Sequence, residues 1–145
     1  MAWITPKTDW KATYDAAGYL TGDFVNIEDY HRIKNNLLEL REMAAALWTK
    51  VPHITVGADK TYKDFYYADE WNLIEDGLDV LATKIGLWDI GYKQTFYDNG
   101  RFIDYEELNR IESAELTLYN GMIDSIRGQL RLSFRLGARS REIRV

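Results

Sequence analysis

Cysteine is absent from this sequence of 145 residues. Its absence excludes disulfide frameworks, thiolate zinc sites, iron–sulfur clusters and cysteine nucleophiles. Histidine is also scarce, since only His31 and His53 are present. A metal site would therefore have to consist mostly of carboxylates, and we expect neither a metal nor another cofactor.

Long apolar runs are missing too. No stretch approaches the roughly 18 apolar residues that a membrane-spanning helix needs. The opening MAWITPKTDW lacks the basic segment and apolar segment of a secretory signal. We also find no phosphate-binding loop, dinucleotide-binding glycine pattern or Ser–His–Asp motif. We expect a chain that is made and folds in the cytoplasm, with no membrane partner.

Charge is distributed unevenly along the chain. The net charge is −5, but residues 127–145 contain six arginines and one glutamate, which leaves −10 on residues 1–126. The segments also differ in pattern. We therefore divide the chain into an acidic helical repeat domain, 1–126, and a basic C-terminal strand or arm, 127–145.

The acidic domain contains an internal repeat. Residues 10–40 align without a gap to residues 88–118, at an offset of 78. Shared residues are Trp10, Tyr14, Tyr19, Gly22, Phe24, Glu28, Arg32, Ile33 and Leu40, which match Trp88, Tyr92, Tyr97, Gly100, Phe102, Glu106, Arg110, Ile111 and Leu118. A weaker middle copy follows Trp48, where Phe65, Glu70, Asn72, Ile74 and Glu75 match Phe102, Glu107, Asn109, Ile111 and Glu112 at an offset of 37. Three units are predicted.

Each unit is predicted to contain an aromatic lead-in followed by an amphipathic helix. Asn26 and Asp104 are suitable N-caps, each with an acidic residue three positions later, Asp29 or Glu107. The middle unit has Tyr67 at this position, so its start is less well defined.

Apolar residues recur at intervals of three and four, which is typical of a helix with one buried face. The three series are Tyr30, Ile33, Leu37, Leu40, Ala44 and Leu47; Trp71, Ile74, Leu78, Leu81 and Ile85; and Leu108, Ile111, Leu118, Met122 and Ile126, the last interrupted by Glu115. They predict helices near 27–50, 68–86 and 105–126 that share one core, with Ile33, Ile74 and Ile111 buried. Lead-ins at roughly 10–24, 51–66 and 87–101 are predicted to be ordered loops or short strands.

The pattern changes after Gly128. Leu130, Leu132, Phe134 and Leu136 alternate with Arg131, Ser133 and Arg135, which favours a β-strand at 129–136 that joins a sheet edge. A helix stays open as the alternative, because Arg127, Arg131, Arg135 and Arg139 are four residues apart. The predicted class is mainly α, with three helices and one C-terminal strand.

Two segments carry a resemblance to a known group of proteins. PKTDW, followed by NIEDYHRIKNNLLEL at 26–40, resembles tail, baseplate and tail-fibre-region proteins of phages and prophages of Gram-positive bacteria. Its helical pattern falls on Asp29, Tyr30, His31, Arg32, Ile33, Lys34 and Asn36, and recurs as FIDYEELNRIE at 102–112. His31 stands where the group usually has asparagine, whereas Asn109 keeps it. The resemblance covers about the first 45 residues and 100–112, and implies a structural role in the virion tail.

Acidic doublets are the strongest candidates for catalysis. Glu28–Asp29, Asp69–Glu70 and Glu106–Glu107 could supply a general acid and base. All three lie in predicted first helical turns, however, where capping and the helix dipole already explain acidic residues. His31 occupies a position filled by Asn72 and Asn109 in the other units, which favours a structural hydrogen bond. We expect no catalytic site and no enzyme activity.

Aromatic residues and the arginine tail offer two binding hypotheses. Trp10, Trp48 and Trp88 could contact cell-wall carbohydrate, but one tryptophan per unit favours scaffold packing. Arginines attract nucleic acid, yet the acidic domain would repel it. We therefore favour a subunit interface made by Arg127, Arg131, Arg135, Arg139, Arg141, Arg144, Leu132 and Phe134. The expected function is an oligomeric assembly protein whose partners are itself and other tail or baseplate proteins. A module that binds carbohydrate or nucleic acid is the alternative.

Overall fold

A computed structural model describes the backbone of residues 2–19, 21–23, 25–61, 63, 68–86, 90–98 and 103–143, and the side chains of these residues as far as Leu132. Three helices are present: α1 at Ile27–Leu47, α2 at Ala68–Ile85 and α3 at Tyr105–Ile143. The mainly helical class and the three helices are confirmed. None of the helices, over the residues described, is long and apolar enough to cross a membrane.

The helices begin where the sequence predicts. Asn26 caps α1 through a complete capping box, in which its side chain accepts from Asp29 N and the Asp29 side chain accepts from Asn26 N. Asp104 likewise accepts from Glu107 N at 3.1 Å. These side chains bind backbone N–H groups that the first helical turn leaves without partners.

α1 ends three residues earlier than predicted. Trp48 is extended, although its N–H still bonds Ala44 O, and Lys50 has a left-handed φ of 57°. Val51 then precedes Pro52, and the residue before proline disfavours helical dihedrals. The chain therefore leaves the helix before Val51.

The strand predicted at 129–136 is wrong: this segment continues α3 as a helix to Ile143. No strand is present in the part of the chain that the structure describes. Extending an existing helix fixes few further dihedrals per hydrogen bond, and leucine, arginine and glutamine are good helix formers. A strand would instead need an edge to pair with. The boundary drawn at 126/127 consequently falls inside one continuous helix.

Contacts between α1 and α2 show that these helices are parallel. Tyr30 meets Trp71 edge to face, with ring centroids 5.7 Å apart. One to two turns further along both helices, a Cβ at Gly77 would lie 2.8 Å from Leu37 Cδ2, so this glycine permits close approach. Matching advance along both helices is possible only if they point the same way.

α3 is parallel to α1 as well. Arg32 donates to Glu112 at 2.7 Å, and Asn36, one turn later, lies beside Glu115. Each helix contacts the other two. The fold is therefore a parallel three-helix bundle, and every N-terminus lies at the same end. Its buried core includes Tyr30, Trp71, Leu108, Ile33, Ile74, Ile111, Leu40, Leu81 and Leu118.

Candidate assembly interface and its polar support

Parallel helices require connections that return the chain to the N-terminal end, and a segment without regular secondary structure lies against the bundle before α2 and another before α3. A third such segment precedes α1. We call 3–10, 53–60 and 90–96 the straps. Each strap is fastened by a helix side chain that bonds its backbone, which satisfies main-chain groups that no sheet pairs.

Two asparagines hold straps by a pair of hydrogen bonds each. Asn72 accepts from Phe96 N at 2.7 Å and donates to Phe96 O at 2.9 Å. Asn109 accepts from Trp10 N at 2.8 Å and donates to Trp10 O at 3.0 Å. An amide can replace a β-ladder partner in this manner because it carries both a donor and an acceptor.

His31 has the corresponding role for the second strap, since its Nε2 accepts from Lys60 N at 3.0 Å. His31, Asn72 and Asn109 thus make comparable contacts from the positions that the sequence alignment equates. The first strap has a further fastening at Asn36, which bonds both N and O of Ile4. Sequence reasoning missed Asn36, because its aligned positions are Gly77 and Ala114.

Buried ion pairs between the helices are formed by Arg32 and Arg110, the residues that directly follow His31 and Asn109. Arg32 bonds Glu112 and Asp29, both at 2.7 Å, and Trp10 Nε1 donates to Glu112 at 2.6 Å. A guanidinium and an indole donor compensate the desolvation of this fully buried carboxylate. By accepting from both Arg32 and Trp10, Glu112 of α3 is thus linked to α1 and to the first strap.

Arg110 makes the equivalent pairs on α3, with Glu75 of α2 and with Glu107 at 3.1 Å. A small cavity of about 90 Å³ adjoins this pair. Burial raises the pKa of Glu75, and the bond from Arg110 opposes the shift. The Glu75 carboxylate is ion-paired with Arg110. This pairing favours a structural role of Glu75 over general base catalysis. Among the described residues, no group of three His, Asp or Glu side chains is placed to hold a metal ion.

The predicted core residues differ in how deeply they are buried. Ile33, Ile74 and Ile111 are fully buried, and Trp10 is nearly so. Trp48 is only half-buried at the end of α1, and Trp88 lies outside the described residues. Trp10 and Trp48 therefore do not occupy matching places. In the straps Trp10 corresponds to Phe96, because further loop residues, described at 11–19 and 21–23, lie between the first strap and α1.

The end of α3 forms the candidate interface, which we call the arm, residues 127–143. Arg127, Arg131, Leu130 and Leu132 are all exposed, the two leucines by 67% and 59%. A side chain at Gly128 would meet nothing within 4 Å. The predicted interface residues Phe134, Arg135, Arg139, Arg141 and Arg144 lie outside the described side chains. Among the α3 side chains that the structure describes, which end at Leu132, Met122 is the last that is buried, so the arm extends beyond the bundle.

Comparison with known proteins identifies no relative: no family model matches the chain, nor does any curated protein or solved structure.

Proposed function

We propose that this chain is a non-enzymatic structural or assembly protein of a phage-type tail or baseplate, located in the virion tail after synthesis in the host cytoplasm. The observation that carries the proposal is the arm, a helix that extends beyond its own core with exposed leucines and arginines. Exposed apolar surface bordered by charged residues is typical of protein–protein contacts. The tail-protein resemblance in the sequence supports the same role.

Internal features of the bundle also support assembly over catalysis. His31 binds the second strap, and the buried Arg–Glu pairs hold the helices together. The acidic first turns contain capping groups and ion-pair partners of Arg32 and Arg110. Partners would be other copies of the chain and other tail or baseplate proteins.

Deletion of residues 128–145 tests the proposal. Light scattering should show that the intact chain forms oligomers and that the shortened chain is monomeric. Circular dichroism should show a folded bundle with less helical signal, because only the arm is removed. Full assembly of the shortened chain, or steeply salt-dependent DNA binding by the intact chain, would contradict the proposal.

Exposed tyrosines favour carbohydrate binding as a second candidate function. Tyr14, Tyr19, Tyr92 and Tyr97 are all largely exposed, and aromatic rings present apolar area together with a polar group. If this function holds, Tyr92→Ala and Tyr97→Ala should each reduce binding to purified cell-wall polysaccharide while leaving the oligomeric state unchanged. Equal binding by both variants and the intact chain would exclude it.

A further inference from the structure

We infer that the chain assembles head to tail, the arm of one copy binding the N-terminal end of the helical bundle of a second copy. This inference rests on the proposed assembly function and names its partner and geometry. It begins from the direction of the helices, which are all parallel and therefore give the bundle two different ends.

Geometry prevents the arm from covering its own bundle. α3 is a continuous helix to Ile143, so its 17 residues after Ile126 extend roughly 25 Å at 1.5 Å per residue. The arm points away from the N-terminal end, because α3 begins there at Tyr105. Leu130 and Leu132 are consequently available to a second molecule and not to the chain that carries them.

The charge of the arm indicates that it binds an acidic surface of a second copy. The arm contains Arg127 and Arg131, and only one acidic residue lies beyond them, Glu142. Two arms packed side by side would therefore place like charges together, which disfavours association. The remainder of the chain carries −10, so a copy of this protein offers the opposite charge.

The N-terminal end of the bundle is where exposed acidic side chains of all three helices meet. Glu28, Asp69 and Glu106 occupy aligned positions in the first turns of α1, α2 and α3, and all three are exposed. The residue after each of them, Asp29, Glu70 or Glu107, pairs with Arg32, Lys60 or Arg110 within the chain. The first turns that carry the exposed set lie at the end of the bundle opposite to the arm.

Such a contact joins two different surfaces, so each copy can bind one neighbour at each end. Heterologous contacts of this type produce rings when the rotation closes and filaments when it does not. Leu130, which lies on the same side of the helix as Arg127 and Arg131, would lie against the partner's N-terminal end, where the exposed Tyr105 offers apolar contact.

Charge reversal tests the pairing in intact chains. Arg127→Glu with Arg131→Glu, and separately Asp69→Lys with Glu106→Lys, should each weaken association about tenfold or more in sedimentation analysis. All four substitutions in one chain should restore association. Glu42→Lys with Asp79→Lys is the matched control, because it changes exposed acidic residues on the flank of the bundle by the same charge and should assemble normally.

The outcomes separate this inference from the proposed function. If deletion of 128–145 abolishes assembly while the Asp69/Glu106 variant assembles like the intact chain, the head-to-tail geometry is wrong and the assembly role remains. Stronger association of the Arg127/Arg131 variant would indicate arm-to-arm packing and also overturn it. A monomeric intact chain would overturn both.

Discussion

Glu115 is an ionisable residue at a buried position where the aligned residues of the other two helices are leucine. The aligned residues are Leu37 and Leu78, and all three side chains are buried. Both carboxyl oxygens of Glu115 are enclosed without a hydrogen bond of normal geometry among the described residues. Burial raises its pKa well above the ordinary value of 4.5, as does the charge of Glu112, while Asn36 and Arg32 oppose the shift.

Glu115→Leu is expected to stabilise the fold. Because the folded pKa is raised, the stability contributed by the neutral carboxyl is complete below about pH 4.5 and is lost as the pH rises toward the folded pKa. At pH 7 the substitution should raise the free energy of unfolding by about 1–4 kcal/mol, as when other buried charged groups are replaced by apolar ones. Urea unfolding should show a larger gain at pH 8 than at pH 5. Glu115→Gln is the control for shape, and an equal gain at both pH values would show that ionisation is not the cause.

Each strap is an element whose position depends on a few side-chain bonds. The first strap has the most: Asn109 holds Trp10, Asn36 holds Ile4, and Trp3 stacks on Tyr119 with centroids 4.2 Å apart. No β-ladder supports it. Removal of one amide therefore leaves strap N–H and C=O groups without protein partners.

Asn109→Ala should detach the strap near Trp10 while α1 and α2 keep their packing. The expected loss is about 1–3 kcal/mol in the free energy of unfolding, the cost of leaving buried polar groups unpaired. Hydrogen exchange should increase at Trp10 and remain unchanged at Phe96, which Asn72 holds. Asn120→Ala, at an exposed position on the same helix, is the control. Unchanged protection at Trp10 would show that packing alone fixes the strap.

One of the three helix interfaces differs from the other two in its ion pairs. Arg32 and Glu112 pair across α1 and α3, and Arg110 and Glu75 pair across α3 and α2. At the α1–α2 interface the aligned residues are Leu73 and Lys34, and Lys34 pairs instead with Asp59 of the second strap. The positions of this interface that align with the Arg–Glu pairs thus contain leucine and lysine.

At the scale of the molecule, the parallel helices separate the acidic N-terminal end from the basic arm. If the arm binds the N-terminal end of a second copy as we propose, association should weaken as salt rises, because the screening length falls from about 30 Å at 0.01 M to about 3 Å at 1 M. Sedimentation of the intact chain should therefore show smaller assemblies at high salt. An apolar contact of Leu130 with the partner is not screened by salt, so Leu130→Ser should weaken assembly at both salt concentrations. Assemblies that grow with salt would indicate an interface dominated by apolar contacts.

The sequence by itself determined the starts of α1 and α3, their caps Asn26 and Asp104, and the buried isoleucines, because these follow from local rules: capping residues bind the first N–H groups, and apolar spacing of three and four forms one face. The parallel direction of the helices, the straps and the Arg–Glu pairs were decided only by the tertiary structure. They depend on residues about 24 to 99 positions apart, such as Asn72 with Phe96 and Trp10 with Asn109, and no local pattern specifies such pairs. The helical conformation of the arm was likewise not determined by the sequence alone, since alternating apolar residues and arginines four apart suit either a strand or a helix. Continuity with α3 decided for the helix, because extending a formed helix costs less entropy than ordering a new strand without a partner.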